Sequence, residues 1–291
     1  EKGLSKDSGG IKNSWKYEKD LIIFNPLHNI KSISHLCYIF LIILYQIKML
    51  FYNYYMERTL TKIQNLNVDT FTFDEALDFA QFGQVITINP EMISYAAKNP
   101  HFAKIIDEAE LVIPDGIGVQ IGLKILGSNV RRIAGIEFAR RILEKFSLEN
   151  KTTALIGAKP HVIEKAVNNL KNEIDNINIV YAHDGYFARD EEIVNSLLEK
   201  RPDVVLTALG SPRQEEFNYK CKKLLPETLF IGVGGSFDVW AGEVQRAPEI
   251  YQKLGLEWLY RTVKEPKRFK RIFPTLPLFV LKVFKEKITG V

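Results

Sequence analysis

The sequence predicts an α/β fold, a mainly parallel, doubly wound six-stranded sheet followed by a helical C-terminal appendage. Three observations predict it. Short β-branched apolar runs recur along the chain, each with a helical pattern behind it. Several of these runs break into glycine turns, as in A-L-G-S-P-R-Q-E (Ala208 to Glu215) and G-V-G-G-S-F-D (Gly232 to Asp238). No hairpin signal separates the six runs, so the crossovers are helical and the strands parallel.

Composition sets bounds. The 291 residues are 46% hydrophobic and 25% charged, which are globular values. A net charge of only +4 gives no nucleic-acid signature. Cys37 and Cys221 make neither a disulfide framework nor a zinc spacing, and no H-E-x-x-H occurs.

Residues 1–55 form an N-terminal extension. Within it begins Leu36 to Met56, nearly all apolar or aromatic, with Lys48 as its one charge. About 20 apolar residues span a bilayer. No small-residue cleavage site follows, which argues against a secretory signal. A membrane anchor, an interfacial amphipathic helix and sequence foreign to the native protein all remain open for this segment.

The core is expected over residues 56–254. Thr72-Phe73-Asp74-Glu75 reads as a capping box opening a helix to about Phe82. Val85 to Ile88 is a strand ending in T-I-N-P-E-M, and Pro90 suits the first turn of the next helix. Pro100 opens another helix. Leu111 to Ile113 is a strand ending in P-D-G-I-G, followed by helices to about Leu126 and from Gly135 to Ser147. Thr153 to Ile156, Ile177 to Ala182, Val204 to Leu209 and Leu229 to Val233 complete the strands. Helices to Ile174 and over Asp190 to Lys200 lie among them.

Residues 255–291 are the appendage. Between Arg261 and Val291 stand nine Lys/Arg and two Glu. Arg261, Lys264, Arg268 and Arg271 share one helical face unless Pro266 interrupts it. Phe273 to Phe284 is apolar with two prolines. Basic beside apolar suits a membrane surface or a phosphate ligand, and a solvated charged face is the plain alternative.

Ligands of such sheets bind beyond the carboxyl ends of the strands. Those ends carry Thr87 and Asn89, then Asp115, Gln214 and Asp238. Asp115, between Pro114 and Gly116, is a candidate general base, or else the cap of the following helix. Asn89 before Pro90 is equally a candidate cap, and Gln214 a surface helix residue. Gly116, Gly118 and Gly122 miss the dinucleotide spacing G-x-G-x-x-G by one residue, which argues against nicotinamide chemistry. No D-x-D occurs, so no paired aspartates offer a cation to a diphosphate; Arg261, Arg268 and Arg271 are available to neutralise one instead.

Taken together, T-I-N-P-E-M, P-D-G-I-G, R-I-A-G-I-E (Arg132 to Glu137), H-D-G-Y-F (His183 to Phe187), L-G-S-P-R-Q-E, G-V-G-G-S-F-D with A-G-E-V-Q-R-A-P, and G-L-E-W-L-Y-R with E-P-K-R-F-K-R resemble the WecG/TagA/CpsF glycosyltransferase family. The resemblance runs from about Met56 to Lys287 in order. It implies a single Rossmann-like domain with a C-terminal membrane-associating appendage. The implied reaction transfers N-acetylmannosamine from a UDP donor to polyprenyl-diphosphate-linked N-acetylglucosamine. It inverts the anomeric centre and uses neither metal nor cofactor. It assigns Asp115 as base and Thr87, Asn89, Gln214, Asp238, Arg261, Arg268 and Arg271 to the substrates, with Arg132 added. It implies a peripheral protein on the cytoplasmic face of the bacterial plasma membrane, and self-association is kept open. A different UDP-sugar in capsule or exopolysaccharide synthesis, or a non-catalytic nucleotide-binding protein at the membrane surface, is the alternative.

Overall fold

The computed structural model describes residues 58–253, 255–264 and 269–290. The expectations placed on residues 1–55 lie outside it. Its first element corrects the sequence reading. β1 (Leu60–Ile63) and β2 (Leu66–Asp69) form an antiparallel hairpin. Gln64 and Asn65 link them with φ of 49° and 65°, the left-handed pair that a two-residue turn requires. Asn-Gly signals such a turn; Gln-Asn does not, and four-residue strands are too short to display an alternation.

α1 (Phe73–Phe79) opens on the expected capping box: Thr72 N–H donates to Glu75 at 2.7 Å, and Glu75 N–H donates to Thr72 Oγ1 at 3.3 Å. There follow β3 (Gly83–Ile88), α2 (Pro90–Ala96), α3 (Pro100–Asp107), β4 (Leu111–Pro114), α4 (Ile117–Leu126) and α5 (Gly135–Leu148). Next come β5 (Thr152–Gly157), α6 (Pro160–Glu173), β6 (Asn178–His183), α7 (Asp190–Lys200), β7 (Val204–Ala208), α8 (Arg213–Lys222) and β8 (Leu229–Gly232). The described chain closes with α9 (Ser236–Trp240), α10 (Glu249–Lys253), α11 (Glu257–Lys264) and α12 (Phe269–Thr289).

The six core strands form one parallel sheet in the order β4-β3-β8-β7-β5-β6, as expected. Its register sets the two faces. Val85, Leu111, Ile231, Leu206 and Leu155 lie in one row, all buried. Ile86 and Val112, one position further along, and Phe230, Val205 and Ala154, one position back, face the opposite side and pack with α2, α3, α7 and α8. Strands buried on both faces read as continuous apolar runs, which is why the sequence revealed them.

The hairpin guards an edge. Asp69 is fully buried; its carboxylate accepts from Arg58 Nε at 2.7 Å and Nη2 at 2.8 Å, and from the N–H of Val112 in β4 at 2.7 Å. An edge-strand N–H that would otherwise invite pairing is thereby occupied.

The C-terminal helix is built into this core. Phe279 and Val283 are buried with Ile63, Val119 and Leu123. At Gly122 an added Cβ would lie 2.6 Å from Ile63 Cδ1 and 3.3 Å from Phe279, so only glycine admits both. Glu286 accepts from Gln64 N–H at 3.0 Å and from Gln64 Nε2 at 2.9 Å. Residues Glu57–Val291 form one unit.

Candidate active site

The candidate residues Thr87, Asn89, Asp115 and Asp238 lie at or just beyond the carboxyl ends of β3, β4 and β8. Thr87 pairs with Ile113 and Ile88 with Pro114, and Asp115 N–H donates to Ile88 O at 2.9 Å. Asn89 and Asp115 therefore leave adjoining strands side by side. Ile133 N–H bonds Pro114 O at 2.9 Å, which brings the Arg132 segment back across the end of β4. Arg132 N–H donates to Gln120 Oε1 in α4 at 3.0 Å.

The two local alternatives resolve differently. Asn89 is a cap: its Oδ1 accepts from the N–H groups of Glu91 and Met92, each at 3.0 Å. Any substrate contact by Asn89 must share that side chain. Asp115 does not occupy the cap position of α4. Gly116 does, with φ of 94°, and it supplies no side chain.

A cavity of about 200 Å³ opens past the ends of β3 and β4, lined by Asn89, Pro90, Glu91, Gly116, Ile117, Gly118, Thr275 and Leu276. Its wall joins the ends of β3 and β4 to α12. A Cβ at Gly118 would meet both Leu276 and Pro90 at 2.6 Å, so this glycine lets three helices converge. The near-dinucleotide glycines thus receive α12 rather than a pyrophosphate turn.

Thr87 looks toward β8, its Oγ1 donating to Gly232 O at 3.4 Å, and α5 begins against it: a Cβ on Gly135 would lie 3.0 Å from Thr87 Cγ2. Gln214 is buried rather than on the helix surface, and its Oε1 accepts from Gly234 N–H at 3.1 Å. Asp238 stands in the first turn of α9, half-buried, and its carbonyl accepts from Glu243 and Val244 N–H. Thr87, Gln214 and Asp238 are thus brought to one turn. Arg268 lies outside the described residues. Arg261 and Arg271 fall in α11 and α12, with their side chains outside the description.

The ends of β5, β6 and β7 are stitched into a second glycine-lined edge. Ala158 N–H bonds Ala208 O at 3.0 Å and Gly185 N–H bonds Ala158 O at 2.9 Å. Gly157, with φ of 130°, has space for no Cβ, which would fall 2.4 Å from Ala208 O. Arg213 spans this edge, donating to Gly185 O at 3.2 Å with its guanidinium 4.6 Å from the Phe187 ring centre.

Sequence reasoning passed over Glu215, Arg246 and Glu257 here. Glu215 is a buried carboxyl next to Gln214, its pKa raised by burial. Arg246 pairs with Glu137 and with Glu257. All three pairing residues sit inside recognised motifs, which was the available signal, but no spacing rule joins positions so far apart. Among the described residues no three His, Cys, Asp or Glu side chains cluster as metal ligands. None of the described helices is long and apolar enough to cross a membrane.

Comparison with known proteins agrees with this arrangement. The sequence profile of the glycosyl transferase WecG/TagA/CpsF family matches residues 61–291. The N-acetylglucosaminyldiphosphoundecaprenol N-acetyl-beta-D-mannosaminyltransferase of Bacillus spizizenii W23 is 35% identical over 204 residues, covering 70% of this chain and 79% of that protein. The protein of the same name from Bacillus subtilis 168 is 36% identical over 209 residues, 71% of this chain and 81% of its own length. With its parallel sheet, its Asp115 strand end and a match that spans nearly all described residues, the chain belongs to the WecG/TagA/CpsF family of glycosyltransferases.

Proposed function

We propose that this hexosyltransferase moves N-acetylmannosamine from UDP to a polyprenyl-diphosphate-linked N-acetylglucosamine, with inversion and without a metal. The names of the two Bacillus relatives support the sugar and the acceptor. The observation that carries the reading is that Asp115 and Asn89 leave adjoining strand ends side by side, next to a cavity walled by Asn89, Gly116 and, from α12, Thr275 and Leu276.

The chemistry follows from charge. A sugar hydroxyl is a poor nucleophile at neutral pH, so the Asp115 carboxylate accepts its proton as the new bond forms. The bond from the anomeric carbon to UDP breaks on the opposite side. Negative charge grows on the departing diphosphate, where Arg261, Arg268 and Arg271 stabilise it. One displacement inverts the centre and needs no protein nucleophile. Thr87, Asn89, Gln214 and Asp238 are assigned to the substrates, with Arg132 added to them.

The acceptor is a lipid, so the site works at a membrane face, which we take as cytoplasmic because UDP-sugars are made there. α12 suits that contact. Leu278, Leu281, Phe284 and Ile288 are exposed, interleaved with exposed Lys282, Lys285 and Lys287. The deciding experiment offers a panel of UDP-sugars to the purified protein with a short-chain polyprenyl-diphosphate N-acetylglucosamine. Transfer from UDP-N-acetylmannosamine above all others is expected. A clear preference for another sugar moves the protein to a different polysaccharide pathway, and donor binding without transfer overturns the enzyme reading.

A further inference from the structure

α8 opens with two buried polar residues, Gln214 at 5% and Glu215 at 2% exposure. Glu215 makes no ion pair among the described residues. Its Oε1 instead accepts from Gln214 Nε2 at 2.8 Å, and its backbone carbonyl accepts from Gln84 Nε2 at 3.0 Å. Gln214 Oε1 in turn accepts from Gly234 N–H at 3.1 Å. The amide lies over Gly232, where a Cβ would fall 2.6 Å from Gln214 Nε2.

These contacts admit one orientation of the amide. Turned over, its NH2 would face the Gly234 N–H, donor against donor, whichever way the Glu215 carboxyl is protonated. A buried carboxyl without a cation is costly to the fold, and an apolar side chain would fill the same space more cheaply. What an apolar residue cannot do is accept from Gln214.

We propose that Glu215 is a positioning residue for transfer: its carboxyl orients Gln214, which pins Gly234 and so sets the turn after β8 against Thr87. The proposal rests on the reading above, which assigns Thr87, Gln214 and Asp238 to the substrates, and takes this turn to border the donor. The relay from Glu215 through Gln214 and Gly234 ends at Gly232, whose carbonyl is 3.4 Å from Thr87 Oγ1.

The test compares Glu215→Leu with Glu215→Gln, using donor kinetics and hydrogen exchange of the segment 229–240. Glu215→Leu fills the space but accepts nothing. It is expected to keep its melting transition, raise KM for the donor about tenfold or more with a smaller effect on kcat, and speed exchange in that segment. Glu215→Gln still offers an acceptor oxygen, so kinetics and exchange should return close to those of the unaltered protein. Adding Gln214→Ala to Glu215→Leu should cost little more than either change alone. Unchanged exchange and unchanged KM in Glu215→Leu overturn the proposal, as do fully additive effects of the two substitutions. If Glu215→Leu fails to fold, loss of donor affinity in folded Glu215→Gln counts against the proposal. If the unaltered protein transfers no sugar, the proposed function fails, while the exchange data still decide whether Glu215 sets the turn.

Discussion

Arg246 Nη2 stands 3.0 Å from Glu137 Oε1 and 3.4 Å from Glu257 Oε2, so one guanidinium ties the first turn of α5 to the first turn of α11. α5 begins against Thr87, and α11 carries Arg261. Near the same junction Gly255, with φ of 69°, packs on Ile117: a Cβ there would lie 3.0 Å from that side chain. The arginine thus couples the appendage to the strand ends. Glu257 is 8% exposed, so the pair is partly desolvated and screened less than a surface bridge. Arg246→Ala is expected to lower unfolding free energy by about 1–3 kcal/mol, read from urea denaturation, and to lower transfer as well. A stability change near zero would show that the clasp contributes nothing.

Asp115→Asn removes the proposed base and leaves its shape. Melting temperature and UDP affinity should be retained, while transfer falls about 10²–10⁴-fold. Near-normal turnover by the folded variant would remove Asp115 from the mechanism.

Metal removal should leave transfer intact. The sequence has no D-x-D, and on the proposed reading arginines neutralise the diphosphate in place of a cation. Assays in excess EDTA check this, and restoration of a lost activity by magnesium or manganese would refute it.

On the proposed reading the appendage is expected to divide between chemistry and membrane contact. Substituting Lys282, Lys285 and Lys287 by Gln should weaken binding to anionic liposomes, by about 1 kcal/mol for each charge near the surface, and spare turnover on a soluble acceptor. Substituting Arg261, Arg268 or Arg271 by Ala should lower soluble-acceptor turnover by about 10–100-fold, the worth of a charge-assisted hydrogen bond. Deletion of the whole tail cannot separate these roles, because Phe279 and Val283 would leave the core with it. Equal liposome binding before and after the lysine changes would dismiss the membrane face.

A chain beginning at Met56 should fold and retain the site, since Glu57–Val291 is one unit and the family match begins at residue 61. Circular dichroism and UDP binding test it; an unfolded product would make residues 1–55 integral to the domain.

Where the sequence was legible, burial made it so. Five of the six strands are buried along almost their whole length and announce themselves without their partners, while β6, part-exposed at the sheet edge, shows only a short β-branched run. The hairpin is half polar and turns on Gln64-Asn65, so it was missed. The outer and inner faces of α12 were equally opaque: Phe279 and Leu281 read alike in sequence, yet one is buried and the other exposed. Residue identity and motif order pointed to Asp115 and Thr87, and the structure brings both to the carboxyl ends of adjoining strands. Hydrogen bonds between distant positions, such as Gln214 to Gly234 and Arg246 to Glu257, depend on packing that no local pattern encodes.

Gln64 and Glu286 are 222 positions apart, and the hydrogen bonds between them have a consequence for biosynthesis. At about 5–20 residues per second, the ribosome needs on the order of tens of seconds to travel from one to the other. Until it does, Phe279 and Val283 do not exist, and the sides of Ile63, Val119 and Leu123 that they cover face solvent. Closure of such a long loop is entropically slow even once the partner emerges. The nascent chain therefore carries that apolar face without its α12 cover until Phe279 and Val283 emerge.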